Sequence, residues 1–147
     1  MTFAIYTIGF TRSSAERFFE RLRAADVRRV LDVRLHNDSQ LAGFAKAADL
    51  PYFLRELIGA KYEQDTLLAP DEELFGAHKR ERLPWAEFES RYLRLLEQRG
   101  VPGALDRSSF EATSTALLCS EPAAVNCHRG LLAEVLAGEW GATVVHL

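Results

Sequence analysis

The sequence of 147 residues has only two cysteines and no apolar run close to the roughly 20 residues of a membrane-spanning helix. Two cysteines are too few for the disulfide framework of a small secreted protein. Basic residues are in no excess, since 18 Lys and Arg stand against 21 Asp and Glu and leave a net charge of −3. A dedicated nucleic-acid-binding protein usually has a basic balance, so that class is disfavoured. We find no internal repeat, low-complexity tract or Gly/Ser linker.

The composition that is present is that of a folded domain. Hydrophobic residues make up 48% of the chain and charged residues 27%. Such a chain is too apolar to be disordered and is long enough to bury one core. The first residues, Met1–Tyr6, lack the basic start of a signal peptide. We therefore expect one cytoplasmic domain over residues 1–147, with no membrane segment.

Strand and helix patterns alternate from the start of the chain. A β-branched and aromatic run over residues 3–8 predicts a first strand, and apolar residues recur at helical spacing between 15 and 25. Ser13 is predicted to cap this helix, with Glu16 reaching back in a capping box. A second strand is predicted over 27–34. Strand, helix and strand within about 34 residues form a βαβ unit, which favours a parallel sheet.

The same alternation continues to the end of the sequence. Helices are predicted at about 50–58, 71–79 and 83–100, and again from the turn at Pro122 to Trp140. Further strands are predicted at 61–63, 115–119 and 142–147. The stretch 101–114 is predicted to be an irregular connection that contains about one helical turn. The pattern predicts an α/β fold, a single domain with a mostly parallel sheet of about four to five strands and helices on both faces.

Reactive side chains collect at the predicted carboxyl ends of the strands, where open parallel sheets bind their ligands. The three strand ends carry Thr7, Gly9 and Thr11, then Asp32 and Arg34, then Cys119 and Glu121. The helix after the last of these strands carries Cys127, His128 and Arg129 in its first turns. Hydroxyl, acidic, basic and thiol groups are thus predicted to meet at one edge of the sheet.

The run Cys127-His128-Arg129 is the densest chemical feature of the sequence. A thiol near a helix N-terminus lies at the positive end of the helix dipole, and a neighbouring histidine and arginine also favour its thiolate form. The same groups could bind an anion such as phosphate. A structural role is equally open, because Cys127 and His128 share helical faces with apolar residues and a small buried thiol is ordinary packing.

The other candidates each have a structural alternative. Cys119 is either a core cysteine or a redox partner of Cys127. The spacing of the two cysteines is not the Cys-x-x-Cys spacing of disulfide oxidoreductases. Arg34 points the same way as Asp32, so it pairs with that carboxylate or serves a ligand. Glu121 is a general base or an N-cap, and Gly9 is a weak sign of a phosphate-binding turn.

No metal site is predicted from spacing. The four histidines are scattered along the chain, and no His or Cys pair has the spacing of a structural zinc site. No cofactor is predicted either.

The order of these motifs resembles that of the domain-of-unknown-function 488 family. The matching pieces are Thr7–Thr11, Leu31–Arg34, Ser39–Phe44, Leu118–Glu121 and Cys127–Arg129, spread over essentially the whole chain. The resemblance implies a compact α/β domain and marks five signature residues, which are Arg34, Cys119, Cys127, His128 and Arg129. It implies no reaction. The chain departs from the family where Ala124-Val125-Asn126 replaces an acidic residue after the proline, and 101–114 looks longer than usual.

These observations lead to a hypothesis of an enzyme-like pocket for a small anionic, phosphate-bearing ligand, a nucleotide or nucleic acid. In this hypothesis Arg34 and Arg129 bind the anion, and Thr7, Gly9 and Thr11 lie near it. Cys127 is a nucleophile of lowered pKa, and His128 is the base that activates it or the group that orients it. Cys119 and Glu121 support this pair. The alternatives are a non-catalytic module binding nucleic acid or protein, and a cysteine redox or metal sensor. Substrate, reaction and oligomeric state do not follow from the sequence.

Overall fold

The fold is taken from a computed structural model that describes residues 2–38, 43–120 and 126–147. The strands of this part are β1 (Ala4–Gly9), β2 (Arg29–Asp32), β3 (Lys61–Gln64), β4 (Thr115–Cys119) and β5 (Thr143–His146). Its α-helices are α1 (Ala15–Ala24), α2 (Leu50–Ile58), α3 (Glu72–Arg80), α4 (Trp85–Gln98), α5 (Arg107–Ala112) and α6 (His128–Trp140). Two short 3-10 helices lie at Gly43–Ala45 and Thr66–Leu68.

The strands form one sheet in the order β3-β2-β4-β1-β5, and each pair of neighbours is parallel. The predicted α/β fold is therefore confirmed. The second strand is shorter than the predicted 27–34, yet beyond its end the Val33 amide still donates a hydrogen bond to the Leu118 carbonyl at 3.1 Å. The predicted irregular stretch over 101–114 contains α5, a helix of six residues.

Helices cover both faces of the sheet, as predicted. One buried cluster joins α1 and α2 to the sheet, and a second joins α4, α5 and α6 to the opposite face. In β4, Leu117 belongs to the α4 and α6 cluster and Leu118 to the α1 and α2 cluster. Because side chains alternate along a strand, Cys119 lies on the same face as Leu117. The last residue of the central strand β4 therefore faces α4 and α6.

The start of α1 differs from the prediction. Its N-cap is Ser14, whose Oγ accepts a hydrogen bond from the Arg17 amide at 3.1 Å. Ser13 is already engaged in a turn, since its own amide donates to the Phe10 carbonyl at 3.1 Å. With Ser14 as cap, Arg17 occupies the third helical position, so the predicted capping box of Ser13 and Glu16 is wrong.

Some predictions fall outside the described residues. They concern Glu121, the turn at Pro122, the residues Ala124 and Val125, and the first four residues of the 39–44 family piece. Across the helices that the structure does describe, none has the length and apolar character needed to cross a membrane.

Candidate functional site

Two chain segments bring a thiol and an imidazole together at the end of β4. Cys119 is the last residue of that strand, and His128 is the first residue of α6, directly after the N-cap Cys127. The Cys119 Sγ lies 3.7 Å from the His128 Nδ1. Both residues are buried, and both line one cavity.

The orientation of the His128 ring is fixed by its other nitrogen. Nε2 lies 2.8 Å from the main-chain carbonyl oxygen of Val33, which follows β2. A carbonyl only accepts hydrogen bonds, so Nε2 carries a proton and donates it. Nδ1 is therefore the nitrogen that exchanges a proton with Cys119. A thiol, a base and a group that orients the base thus stand in sequence, as in Cys-His catalytic pairs.

The second thiol completes a compact group. Cys127 donates a hydrogen bond to Cys119, and Arg129 Nη1 lies 3.7 Å from the Cys127 Sγ. The two sulfurs and a ring nitrogen of His128 all lie within 4.8 Å of one another. These three atoms could hold a soft metal ion, a possibility that the sequence spacing did not indicate.

The electrostatics of the group contradict the predicted lowering of the Cys127 pKa. Its hydrogen bond to Cys119, its burial and the nearby Cys119 charge raise the pKa of Cys127, and together they outweigh the lowering effect of Arg129. Burial lowers the pKa of His128. The charge of Cys119, its hydrogen bond to the ring and the hydrogen bond to the Val33 carbonyl all raise this pKa, and they outweigh burial, so the net shift is upward. The upward shift of the Cys127 pKa favours its thiol form.

A cavity of about 590 Å³ opens over this group. It lies beyond the ends of β2 and β4 and is walled by α3, α4 and the start of α6, and the volume includes the mouth that is open to solvent. Its described lining consists of Arg34, Leu35, His36, Pro70, Phe75, His78, Lys79, Trp85, Phe88, Cys119, Ser120, Asn126, Cys127 and His128. None of these described residues is acidic.

Aromatic rings form one wall of the cavity. Trp85 and Phe88 stack with their ring centroids 5.1 Å apart, and His78 lies 4.7 Å from the Phe88 ring. Further along α4, Phe88 stacks on Tyr92, whose ring meets the edge of His128 at 5.5 Å. The apolar stripe of α4 therefore serves both as core and as the cavity wall that leads to Cys119 and His128.

Arg34 does not stand free to bind an anion. Its Nε and Nη2 donate to the two carboxylate oxygens of Asp32 at 2.9 and 2.8 Å, and Nη2 also donates to the Ala45 carbonyl at 2.7 Å. Its guanidinium lies over the Phe10 ring, which belongs to the α1 and α2 face. Arg34 reaches the cavity lining, but its charge is already compensated by Asp32.

The other predicted ligand contacts are also placed elsewhere. Arg129 is buried against Cys127 and is not among the described cavity residues. The Thr7 Oγ1 lies 2.6 Å from the His146 Nδ1 in β5. Gly9 is in register with Cys119, and its carbonyl accepts a hydrogen bond from Arg21 of α1. Thr11 is exposed, and its amide donates a hydrogen bond to the Ser120 carbonyl.

Comparison with known proteins agrees with this motif order. The model of a family described as domain of unknown function DUF488 matches residues 14–136, most of the chain. The chain belongs to the DUF488 family. No curated protein and no solved structure is significantly similar to it.

The five residues that the family resemblance marks divide into two groups in this protein. Cys119, Cys127 and His128 meet at the cavity with Arg129 behind them, whereas Arg34 pairs with Asp32 on the opposite face of the sheet. One hydrogen bond links the two groups. His128 is held by the carbonyl of Val33, and Val33 is the residue between Asp32 and Arg34.

The outer part of the site was not predicted from the sequence. The residues that were given no role in a site are His36, Phe75, His78, Trp85 and Phe88. Helical spacing puts Phe75 and His78 on one face of α3, and Trp85 and Phe88 on one face of α4, but His36 has no such signal. The orientation of α3 over the sheet, which decides what that face meets, has no local signal in the sequence.

Proposed function

We propose that this DUF488 protein is a thiol-dependent enzyme in which Cys119 is the nucleophile and His128 its general base. The observation that carries the proposal is the 3.7 Å contact between Cys119 Sγ and His128 Nδ1 at the floor of a cavity, with Nε2 held by the Val33 carbonyl. Positioned imidazole bases activate cysteine in this way.

The geometry favours Cys119 over Cys127 as nucleophile, which revises the assignment made from the sequence. Cys119 can receive hydrogen bonds from both His128 and Cys127, and donors to sulfur stabilise a thiolate. Cys127 gives its proton to that interaction, and burial further raises its pKa. We assign Cys127 and Arg129 to positioning and to balancing charge. Glu121 lies outside the described residues, so it is given no role.

The proposed reaction is substitution at a carbonyl carbon or a phosphorus atom. Cys119 Sγ attacks this centre and forms an S–C or S–P bond, while the thiol proton passes to His128 Nδ1. The bond to the leaving group breaks, and the leaving group takes that proton. Water then attacks the same centre, its hydroxyl joins the product as the bond to the Cys119 sulfur breaks, and its other proton returns through His128 to that sulfur. The enzyme ends in its starting state.

The cavity lining supports a small ligand with a planar ring and an anionic group, such as a nucleotide. Trp85, which is half-buried and stacks on Phe88, offers an aromatic ring for stacking. Lys79 and His36 lie on the same cavity, and the described lining holds no carboxylate. His36 lies 3.4 Å from the exposed Glu72 carboxylate, and the Lys79 Nζ lies 5.9 Å from the centre of the Phe75 ring. These two side chains take the place first given to Arg34 and Arg129.

The proposal is tested with two probes that share an aromatic leaving group. p-Nitrophenyl acetate presents an acyl centre and p-nitrophenyl phosphate a phosphoryl centre, and both release coloured nitrophenolate. We expect release from one of them to fall by at least about 100-fold in Cys119→Ser and in His128→Asn. Cys127→Ser, the matched buried thiol, keeps a hydroxyl donor and should lose far less. Equal rates in wild type and Cys119→Ser with both probes would refute catalysis by this thiol.

The sulfur contact also favours a second candidate, a redox sensor. A hydroperoxide would convert the Cys119 thiolate to sulfenic acid and leave as the alcohol or water, and the Cys127 thiol would then form the disulfide with loss of water. Cys119 and Cys127 are thiols and not a disulfide in the structure, which is the state that a reducing compartment such as the cytoplasm maintains. Intact mass after mild hydrogen peroxide treatment separates the candidates. Loss of two hydrogens in wild type but not in Cys127→Ser supports a sensor, and an unchanged mass excludes it.

A further inference from the structure

The thiol and imidazole atoms at the cavity floor form a set of metal ligands as well as a catalytic pair. Cys119 Sγ, Cys127 Sγ and the His128 ring nitrogen lie within 4.8 Å of one another. They come from the end of β4 and the start of α6, two elements that pack in the same core. The group is therefore held by the fold rather than by a free loop end.

One spacing within the group, between the Cys119 sulfur and the His128 nitrogen, matches that of a tetrahedral zinc site, and the Cys127 sulfur lies within 4.8 Å of both atoms. With Zn–S bonds of about 2.3 Å and a Zn–N bond of about 2.05 Å, tetrahedral angles place sulfur about 3.6 Å from nitrogen and about 3.8 Å from a second sulfur. The Cys119 Sγ and His128 Nδ1 are 3.7 Å apart. An ion can thus bridge these atoms with little movement of either side chain.

The surroundings of His128 are also those of a metal-binding histidine. Such a histidine binds the metal through one ring nitrogen and donates its other N–H to a carbonyl or carboxylate. Here Nε2 lies 2.8 Å from the Val33 carbonyl, which leaves Nδ1 facing the sulfurs. Arg129 Nη1, 3.7 Å from the Cys127 Sγ, is placed to donate to a metal-bound thiolate.

We propose that Cys119, Cys127 and His128 bind a thiophilic cation, with Zn²⁺ as the ion best fitted to two sulfurs and one nitrogen. The three residues all line the cavity, so the fourth coordination position opens into it. Three protein ligands and one open position characterise exchangeable or catalytic zinc sites rather than closed structural ones. The described lining offers no carboxylate, which disfavours Mg²⁺ and Ca²⁺.

The cation and the proposed nucleophile use the same sulfur, so they exclude each other. When Zn²⁺ binds, the two thiols lose their protons to solvent and Cys119 is no longer available for attack. Zinc would then act as an inhibitor of the proposed enzyme. The binding site itself does not depend on whether the protein is an enzyme.

The site is tested with Co²⁺, whose absorption reports its ligands. Reduced, chelator-treated protein is titrated with Co²⁺, and we expect one equivalent to give the intense visible bands of tetrahedral coordination with thiolate-to-cobalt charge transfer, all bleached by Zn²⁺. Cys127→Ser and His128→Asn should weaken Co²⁺ binding by at least about 10-fold. His146→Asn, which removes a histidine of β5 that pairs with Thr7 and is not among the described cavity residues, should bind like wild type. Circular dichroism checks that each variant is folded.

The outcomes separate the two proposals. Weak octahedral spectra, or binding that is unchanged in folded Cys127→Ser and His128→Asn, would overturn the metal site. Nitrophenolate release is measured with chelator present, so a protein that binds no metal can still be catalytic. A protein without catalysis can equally give the tetrahedral cobalt spectrum, which would leave the metal site standing alone.

Discussion

The buried ion pair of Asp32 and Arg34 offers a sharp test of how the site is supported. Asp32 is fully buried and Arg34 is 5% exposed. The carboxylate accepts from the Arg34 amide and from its Nε and Nη2, and also from the Tyr62 hydroxyl. Asp32→Asn keeps the shape of the side chain but removes the charge, so the guanidinium is left buried without a counter-ion.

Removing one partner of a buried pair costs about 3–5 kcal/mol of unfolding free energy, whereas an exposed pair contributes about 0–1 kcal/mol. We therefore expect Asp32→Asn to lower the melting temperature by roughly 6–20 °C in a domain of this size. Glu111→Gln breaks the half-exposed pair with Arg107 and is the matched control.

Urea denaturation of the two variants measures this difference. Adding Arg34→Met to Asp32→Asn removes the uncompensated charge and should restore part of the lost stability. A change below about 1 kcal/mol in Asp32→Asn, or no recovery in the double variant, would refute the account of Arg34 as a residue neutralised by Asp32. Arg34 would then again be a candidate for binding an anion.

Two further predictions concern single hydrogen bonds. Ser14→Ala should cost about 1 kcal/mol of stability because it removes the cap of α1, and Ser13→Ala should cost less; the reverse order in urea denaturation would restore Ser13 as the cap. Tyr92→Phe should also cost about 1 kcal/mol, since the buried hydroxyl donates to the Leu68 carbonyl at 2.7 Å. The exposed Tyr52→Phe should be neutral, and equal stability of the two tyrosine variants would contradict the buried bond.

Most helices and strands could be predicted from the sequence, because the residues at their ends carry local signals. The second helix was predicted at about 50–58 and spans Leu50–Ile58, where Pro51 stands in the first turn and Gly59 takes a left-handed conformation at its end. The helix α5 was expected only as about one turn. It is six residues long, with an Asp106 cap and a single buried residue, Phe110, so its periodicity is too short to read.

The site was only partly readable for a different reason. Strand alternation correctly places Asp32 and Arg34 on one side, and the strand ends correctly indicate the edge of the sheet where Cys119 and His128 meet. Which thiol contacts the imidazole depends on how α6 is set against β4, and this is a matter of tertiary packing. The dipole at the start of the helix favoured Cys127 as the reactive thiol. In the structure, however, its hydrogen bond to Cys119 and its burial raise the pKa of Cys127 overall.

The central claim is that His128 activates Cys119 and leaves Cys127 as an unreactive thiol. The most direct measurement is the rate of iodoacetamide alkylation at pH 7 of native, chelator-treated protein, with each cysteine followed by peptide mass spectrometry. An ordinary thiol with a pKa of about 8.5 is only about 3% thiolate at that pH, so full activation can raise the rate roughly 10- to 30-fold. We predict that Cys119 is labelled first and that His128→Asn removes this advantage. Labelling of Cys127 before Cys119, or a Cys119 rate that His128→Asn leaves unchanged, would contradict the account.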